Sequence, residues 1–271
     1  MHLTRTAAAF LRRDFEIATS YKVNFIFQLT YGYFIVAVFF FMAKLMDGGA
    51  ARAALARYQA DYFSFILIGA AVAGLMQASL NGFAEQLRTG MTEGSLEMTF
   101  SCPVRPTWVI VLPCVWSMAF ETLKACVVIA MGIGFFGADL SRANLTSAVL
   151  MVVVTVASYS VFGMLVASVI LVLKRGDVLN TAFSAATAMI GGAFFPVELL
   201  PPWLALVAKA LPMTYAYDGL RLGLLAGATP AQLMPQLAML AAFAAVGLPV
   251  AFAACAAAIS RAKREGSLGV F

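Results

Sequence analysis

The chain has 271 residues, of which 62% are hydrophobic and only 11% are charged. A soluble domain carries roughly 25% charged residues, so this composition excludes an ordinary soluble protein and predicts an integral membrane protein. The net charge of +5 comes from Lys and Arg that flank apolar runs. That placement indicates membrane topology and disfavours a nucleic-acid-binding protein.

The residue types that most hydrolytic and metal chemistry needs are sparse. The one histidine is His2, and the four cysteines form no C-x-x-C pair. Histidine is the usual general base and metal ligand, and paired cysteines hold many structural zinc ions. We therefore predict no catalytic, cofactor-binding or metal-binding residues in this chain.

Long apolar runs predict the transmembrane helices, because a span needs about 20 apolar residues. Six such runs follow one another: Lys22–Lys44, Asp61–Glu85, Thr107–Phe136, Arg142–Lys174, Asp177–Glu198 and Ala231–Ile259. The predicted fold is an all-α membrane protein with six transmembrane helices in a single domain, 1–271. Lys and Arg are more frequent in every second segment that connects the runs, counted from the N-terminal segment. The positive-inside rule therefore predicts that these segments, and both termini, lie in the cytoplasm.

Residues 4–20 differ in pattern from the first run. Their apolar residues recur at helical spacing while the charged residues lie on other faces: Ala8, Leu11, Phe15 and Ala18 against Arg12, Arg13, Asp14 and Glu16. This pattern predicts an N-terminal amphipathic helix that lies on the membrane surface. A disordered tail is the alternative.

Residues 84–106 form a polar cytoplasmic connection that is too long for a tight turn. It carries charges of both signs, and a short helix is predicted to start near Ser95 and to end at Pro103 or Pro106. Such a loop is a candidate docking surface.

Residues 195–218 hold an apolar stretch, Trp203–Leu211, that is too short to span and is bracketed by prolines. This predicts a re-entrant segment that dips into the outer leaflet before the last helix, with an apolar outer loop as the alternative. Phe194 and Phe195 near the outer end are predicted to form an apolar gate, although aromatic residues at the membrane interface look the same in sequence. The residues predicted for the outer gate and the re-entrant segment together are Phe194, Phe195, Pro196, Pro201, Trp203 and Pro212.

Polar residues inside the predicted spans are candidates for a transport pathway. Glu121 and Lys124 are three residues apart on one helix, so they share a face and can neutralise each other. Asn180, Ser184 and Thr187 also line one helix face. Each set either lines a route for an amphipathic substrate or serves helix packing.

These features, in this order, resemble the type-2 ABC exporter permease family. The family typically has a Phe-Pro, a Leu-Pro with a Trp, and a Pro-Leu-Thr-Tyr before the last helix. Met213 stands where Leu is usual, and Cys102 lies within a Ser-Pro-Val-Arg-like motif. The matching stretches are Gly192–Leu204, Leu211–Ala216, Asp218–Arg221, Glu93–Glu97, Ser101–Arg105 and Arg264–Phe271.

The resemblance implies a bacterial inner-membrane permease subunit that acts as a homodimer and exports an amphipathic or lipid-like substrate. A separate cytoplasmic ABC ATPase would bind ATP and Mg, and it would act on loop 84–106 as a coupling helix. This fits the lack of a Gly-Lys dipeptide, which a phosphate-binding loop requires. The residues implied for coupling are Glu93, Gly94, Ser95, Leu96, Glu97 and Arg105.

Two other functions fit a polytopic membrane protein. A gradient-driven secondary transporter would act without an ATPase, and such proteins commonly repeat a broken helix in two halves. Only one broken region, Pro196–Pro212, is visible in this sequence. A lipid-modifying enzyme needs a cluster of acids or histidines, and the acidic residues of loop 84–106 show no metal-ligand pattern.

Overall fold

The computed structural model describes residues 22–45, 55–92, 106–173 and 177–264, and no strand occurs among them. The all-α fold class is therefore confirmed for this part of the chain. The predicted interfacial helix 4–20 lies outside the described residues. The α-helices are α1 Lys22–Leu45, α2 Tyr62–Thr92, α3 Pro106–Phe136, α4 Leu145–Leu173, α5 Asp177–Ile190, α6 Pro202–Ala210, α7 Pro212–Leu225 and α8 Met234–Arg264.

Four of these helices are long and apolar enough to cross a membrane, namely α2, α3, α4 and α8. The shorter stretch Gly32–Leu45 of α1 is also apolar. Helix α5 has 14 residues, which at a rise of about 1.5 Å per residue falls short of a hydrocarbon core about 30 Å thick. A count of six transmembrane helices therefore remains a prediction.

Two helix boundaries differ from those predicted. The fifth apolar run was expected to continue to Glu198, but α5 ends at Ile190. Gly192 follows with a φ of 89°, a left-handed conformation that favours glycine, and the chain turns there. Helix α2 instead continues to Thr92, so residues 84–92 of the predicted loop 84–106 are helical.

Helix α2 lies at the centre of the bundle, and 72% of its apolar window is buried. It packs against α3 and α4, while α4 makes its most extensive contact with α8. Hydroxyl groups join these helices: Ser79 donates to the Tyr159 carbonyl at 2.6 Å, and Ser158 donates to the Leu240 carbonyl at 2.7 Å. Small residues and such interhelical hydrogen bonds are how helices associate in lipid.

We expect Gly163→Ala to destabilise the bundle by about 1–3 kcal/mol, because overpacking a tight contact forces the backbone to shift. A Cβ atom at Gly163 would clash with the Ser79 backbone oxygen on α2. Gly134 is the matched control, since a Cβ atom there meets nothing within 4 Å. Thermal unfolding in mild detergent should show a lower melting temperature for Gly163→Ala only. Equal melting temperatures of the two variants would contradict a tight α2–α4 contact.

Candidate functional site

Arg221 of α7 is fully buried and joins three separate parts of the fold. Its guanidinium donates hydrogen bonds to the carbonyl oxygens of Phe65 at 3.2 Å, of Gly192 at 2.7 Å and of Ala193. The guanidinium carbon also lies 3.5 Å from the centre of the Phe65 ring, a cation–π contact. One side chain thus fixes α7 against α2 and against the turn that follows α5.

The local sequence makes room for this guanidinium. Gly69 on α2 has no side chain, and a Cβ atom there would clash with the Ala193 carbonyl and with Arg221 itself. Pro212 occupies the first turn of α7, where proline's missing N–H costs nothing. The turn at Gly192 directs two successive carbonyl groups toward Arg221.

Asp218 lies one turn before Arg221 and accepts hydrogen bonds from three donors. Arg57 lies at 3.0 Å, the Tyr58 hydroxyl at 2.9 Å and the Gln236 side-chain amide at 2.8 Å. Arg57 also pairs with Glu198 at 3.4 Å. These contacts join the segment before α2, the segment before α6, α7 and the start of α8.

Burial, together with the Asp218 carboxylate, raises the pKa of the Tyr58 phenol well above its ordinary value of 10.0. Tyr58 therefore stays protonated and donates to Asp218. A raised pKa means that this stabilisation is fully present below pH 10 and is lost as the pH rises further, because the unfolded chain then releases the proton first.

We expect Tyr58→Phe to lower the free energy of unfolding by about 1.5 kcal/mol at neutral pH, because the charged Asp218 carboxylate loses a hydrogen-bond donor. Stability measured from pH 9 to pH 11.5 should fall less steeply for Tyr58→Phe than for the wild type. Tyr33→Phe is the control, because Tyr33 is exposed on α1. Parallel pH profiles for all three proteins would contradict this assignment.

A cavity of about 620 Å³ lies beside these groups, between α6, α7 and the start of α8. Its wall combines aliphatic and proline side chains with charged and polar groups. The polar wall consists of Arg57, Tyr58, Glu198, Lys209, Thr214, Tyr215, Asp218, Arg221 and Gln236. This volume falls within the range of small-molecule sites.

The residues predicted for the outer gate and the re-entrant segment lie in the turn after α5, at α6 and at the start of α7. Phe194 packs against Phe39 of α1, with ring centres 6.1 Å apart, and its carbonyl accepts a hydrogen bond from Tyr62. Trp203 is 68% exposed, and Pro201 is exposed beside it. Pro196 and Pro212 are buried and Phe195 is half-buried.

Glu121 and Lys124 form the ion pair expected from their spacing on α3. Both are partly exposed, at 21% and 31% of their side chains. They line a smaller cavity of about 200 Å³ between α1, α2 and α3, next to Gly32 and Gly74. A charged pair therefore lies inside an apolar span, where single charges are costly.

Ser184 and Thr187 are both buried on α5, apart from the Glu121 cavity. Thr187 donates to the Ser184 carbonyl of its own helix at 3.0 Å, while the Ser184 hydroxyl has no partner among the described residues. The Asn180 side chain and the predicted coupling residues lie outside the part of the chain that can be described. Those coupling residues are Glu93, Gly94, Ser95, Leu96, Glu97 and Arg105.

The sequence did not single out the groups that organise the site. Arg221 and Asp218 stood in a matched motif without an assigned role, and Tyr58 and Gln236 carried no signal. A lone arginine among the apolar residues of α7 was the one available sign, because an arginine in such surroundings needs partners. Its three carbonyl partners are distant in sequence, so the motif alone did not reveal them.

A comparison with protein families matches residues 4–225 to the family described as ABC-2 type transporter. A comparison with curated proteins finds no match. The family match covers most of the chain and agrees with a helical bundle that contains apolar, membrane-length helices. The chain therefore belongs to the ABC-2 type transporter family and is a multi-pass membrane permease.

Proposed function

We propose that the chain is the membrane subunit of an ABC exporter that moves an amphipathic or lipid-like substrate out of the cytoplasm or inner leaflet. The family match over residues 4–225 carries this proposal. A separate cytoplasmic ATPase supplies the energy and binds ATP and Mg, since the chain has no Gly-Lys dipeptide for a phosphate-binding loop. The chain lies in the inner membrane of a bacterium, with both termini in the cytoplasm.

The exposed surface of α3 supports a homodimer. Only 6% of its window Trp116–Phe136 is buried within one protomer, and Leu123, Ile133 and Phe135 are all exposed. These side chains lie on different sides of α3, and in a membrane this exposed surface meets either lipid or a second copy. We propose that part of this surface faces the partner protomer. We also propose that the Glu121–Lys124 pair, in its cavity between α1, α2 and α3, borders the transport pathway.

The two short helices before α8 support a re-entrant segment. Helix α6 has nine residues, or about 14 Å, and cannot cross a membrane by itself. Helix α7 follows it after a single residue, Leu211. We propose that residues 195–218 dip into the outer leaflet and return, with Arg221 holding the returning helix.

The gradient-driven transporter is the second candidate, and the Glu121–Lys124 pair favours it. Ionisable groups within spans occur in proton relays and ion pathways. The two functions differ in one measurable respect, because only the exporter needs an ATPase partner.

Purification of the tagged chain in mild detergent is expected to recover an ATPase with a phosphate-binding loop. Replacing residues 94–105 with a Gly-Ser linker of equal length should remove most of that ATPase, since this segment is the proposed coupling helix. The control is Lys44→Gln at the end of α1, an exposed lysine outside the large cavity, and this variant should retain the partner. Recovery of the chain alone in several detergents would favour the gradient-driven transporter.

A further inference from the structure

We infer that the 620 Å³ cavity beside α6 and α7 binds the headgroup of an anionic phospholipid. This goes beyond the export function and rests on it only for the outer-leaflet position of α6. The inference comes from two features of the cavity: one uncompensated positive charge on its wall and an apolar helix face beside it.

The charges of the cavity wall do not balance. Arg57 pairs with both carboxylates, Glu198 and Asp218. Arg221 directs its donors to three backbone carbonyls. The ammonium group of Lys209 has no ion-pair partner among the described residues, although it lines the same cavity. Three cations against two carboxylates leave a net positive charge, which favours an anionic ligand.

Gln236 completes the partners of one of the two carboxylates. Its amide nitrogen donates to Asp218 at 2.8 Å, beside the contacts from Arg57 and Tyr58. Glu198 is paired with Arg57. Both carboxylates of the wall are therefore engaged within the protein, and neither neutralises Lys209.

The position of α6 indicates that the ligand enters from the membrane. Trp203 and Leu206 are exposed on this helix, while Ala205 and Lys209 line the cavity. An apolar outer face with a lysine in the last turn is typical of a helix at the membrane interface, where the ammonium reaches headgroup level. The occupant is thus a lipid headgroup with an anionic phosphate ester, as in phosphatidylglycerol.

Native mass spectrometry of the purified full chain tests this with three lipids: phosphatidylglycerol, phosphatidylmethanol and phosphatidylcholine. We expect phosphatidylglycerol to bind about fivefold more tightly than phosphatidylcholine, as one lysine near a membrane surface contributes about 1 kcal/mol. Phosphatidylmethanol, which is also anionic, should likewise bind more tightly than phosphatidylcholine. Equal binding of the three lipids would overturn the inference.

Lys209→Gln should abolish the preference for phosphatidylglycerol over phosphatidylcholine. Lys44→Gln is the matched control, because Lys44 is also an exposed lysine but does not line the cavity. A preference that survives Lys209→Gln, or that Lys44→Gln also removes, would contradict the assignment. Free glycerol phosphate tests whether the ligand of the cavity is a soluble phosphate ester instead of a lipid. If glycerol phosphate competes at micromolar concentration, the ligand is a soluble phosphate ester, and if it does not compete, the ligand is a lipid. The readout is binding, so failure here leaves the export function untouched.

Discussion

Replacing Arg221 by leucine is expected to lower the stability of the protein by at least about 3 kcal/mol, enough to prevent recovery of folded protein. The carbonyl groups of Phe65, Gly192 and Ala193 would lose their shared donor in a fully buried site. Each buried polar group left unpaired costs about 1–3 kcal/mol. The Phe65 ring would also lose its cation–π contact, worth up to about 2 kcal/mol when desolvated.

Arg221→Lys tests whether geometry or charge stabilises the site. A lysine keeps the positive charge, but its compact ammonium group cannot reproduce the planar guanidinium that reaches three carbonyls. We therefore expect Arg221→Lys to recover only a small part of the loss. Heat-induced aggregation in mild detergent, followed by size-exclusion chromatography, measures both variants.

Arg57→Gln is the control for these variants, because Arg57 is half exposed and its ion pairs are near the surface. Surface ion pairs contribute about 0–1 kcal/mol, so this variant should remain well folded. If Arg221→Leu melts at the same temperature as the wild type, the buried guanidinium does not hold α7 in place.

Replacing Lys124 by methionine is expected to destabilise the protein by about 2 kcal/mol, because it leaves the Glu121 carboxylate unpaired within an apolar span. Adding Glu121→Gln removes the remaining charge and should restore most of the stability. The double variant thus separates the folding role of the pair from its role in transport.

The proposed pathway predicts that this double variant folds but loses about tenfold in coupled ATPase turnover, or roughly 1.4 kcal/mol. The activity is measured on the permease reconstituted with its ATPase partner. Thr122→Val is the control on the same helix, since the Thr122 hydroxyl donates to its own helix at Met118 and should matter little. Normal turnover of the double variant would assign the pair to helix packing alone.

The composition and the apolar runs determined the class of protein, because a bilayer selects for long apolar helices whose backbone groups are paired internally. The α3, α4 and α8 runs matched helices of the structure closely, whereas α2 continues to Thr92, beyond its predicted end. The Glu121–Lys124 pair was also predictable, since two residues three apart on a helix face each other. These features depend on residues that are close in sequence.

Tertiary structure alone decided where α5 ends and what the region before α8 contains. The run expected to reach Glu198 stops at Ile190, where the chain enters a left-handed turn at Gly192. This turn directs the carbonyl groups of Gly192 and Ala193 to Arg221. The contacts of Arg221 with Phe65, and of Asp218 with Tyr58, join residues more than 150 positions apart. Hydrophobic periodicity is a local property, so it places helices but cannot show which distant polar groups meet between them.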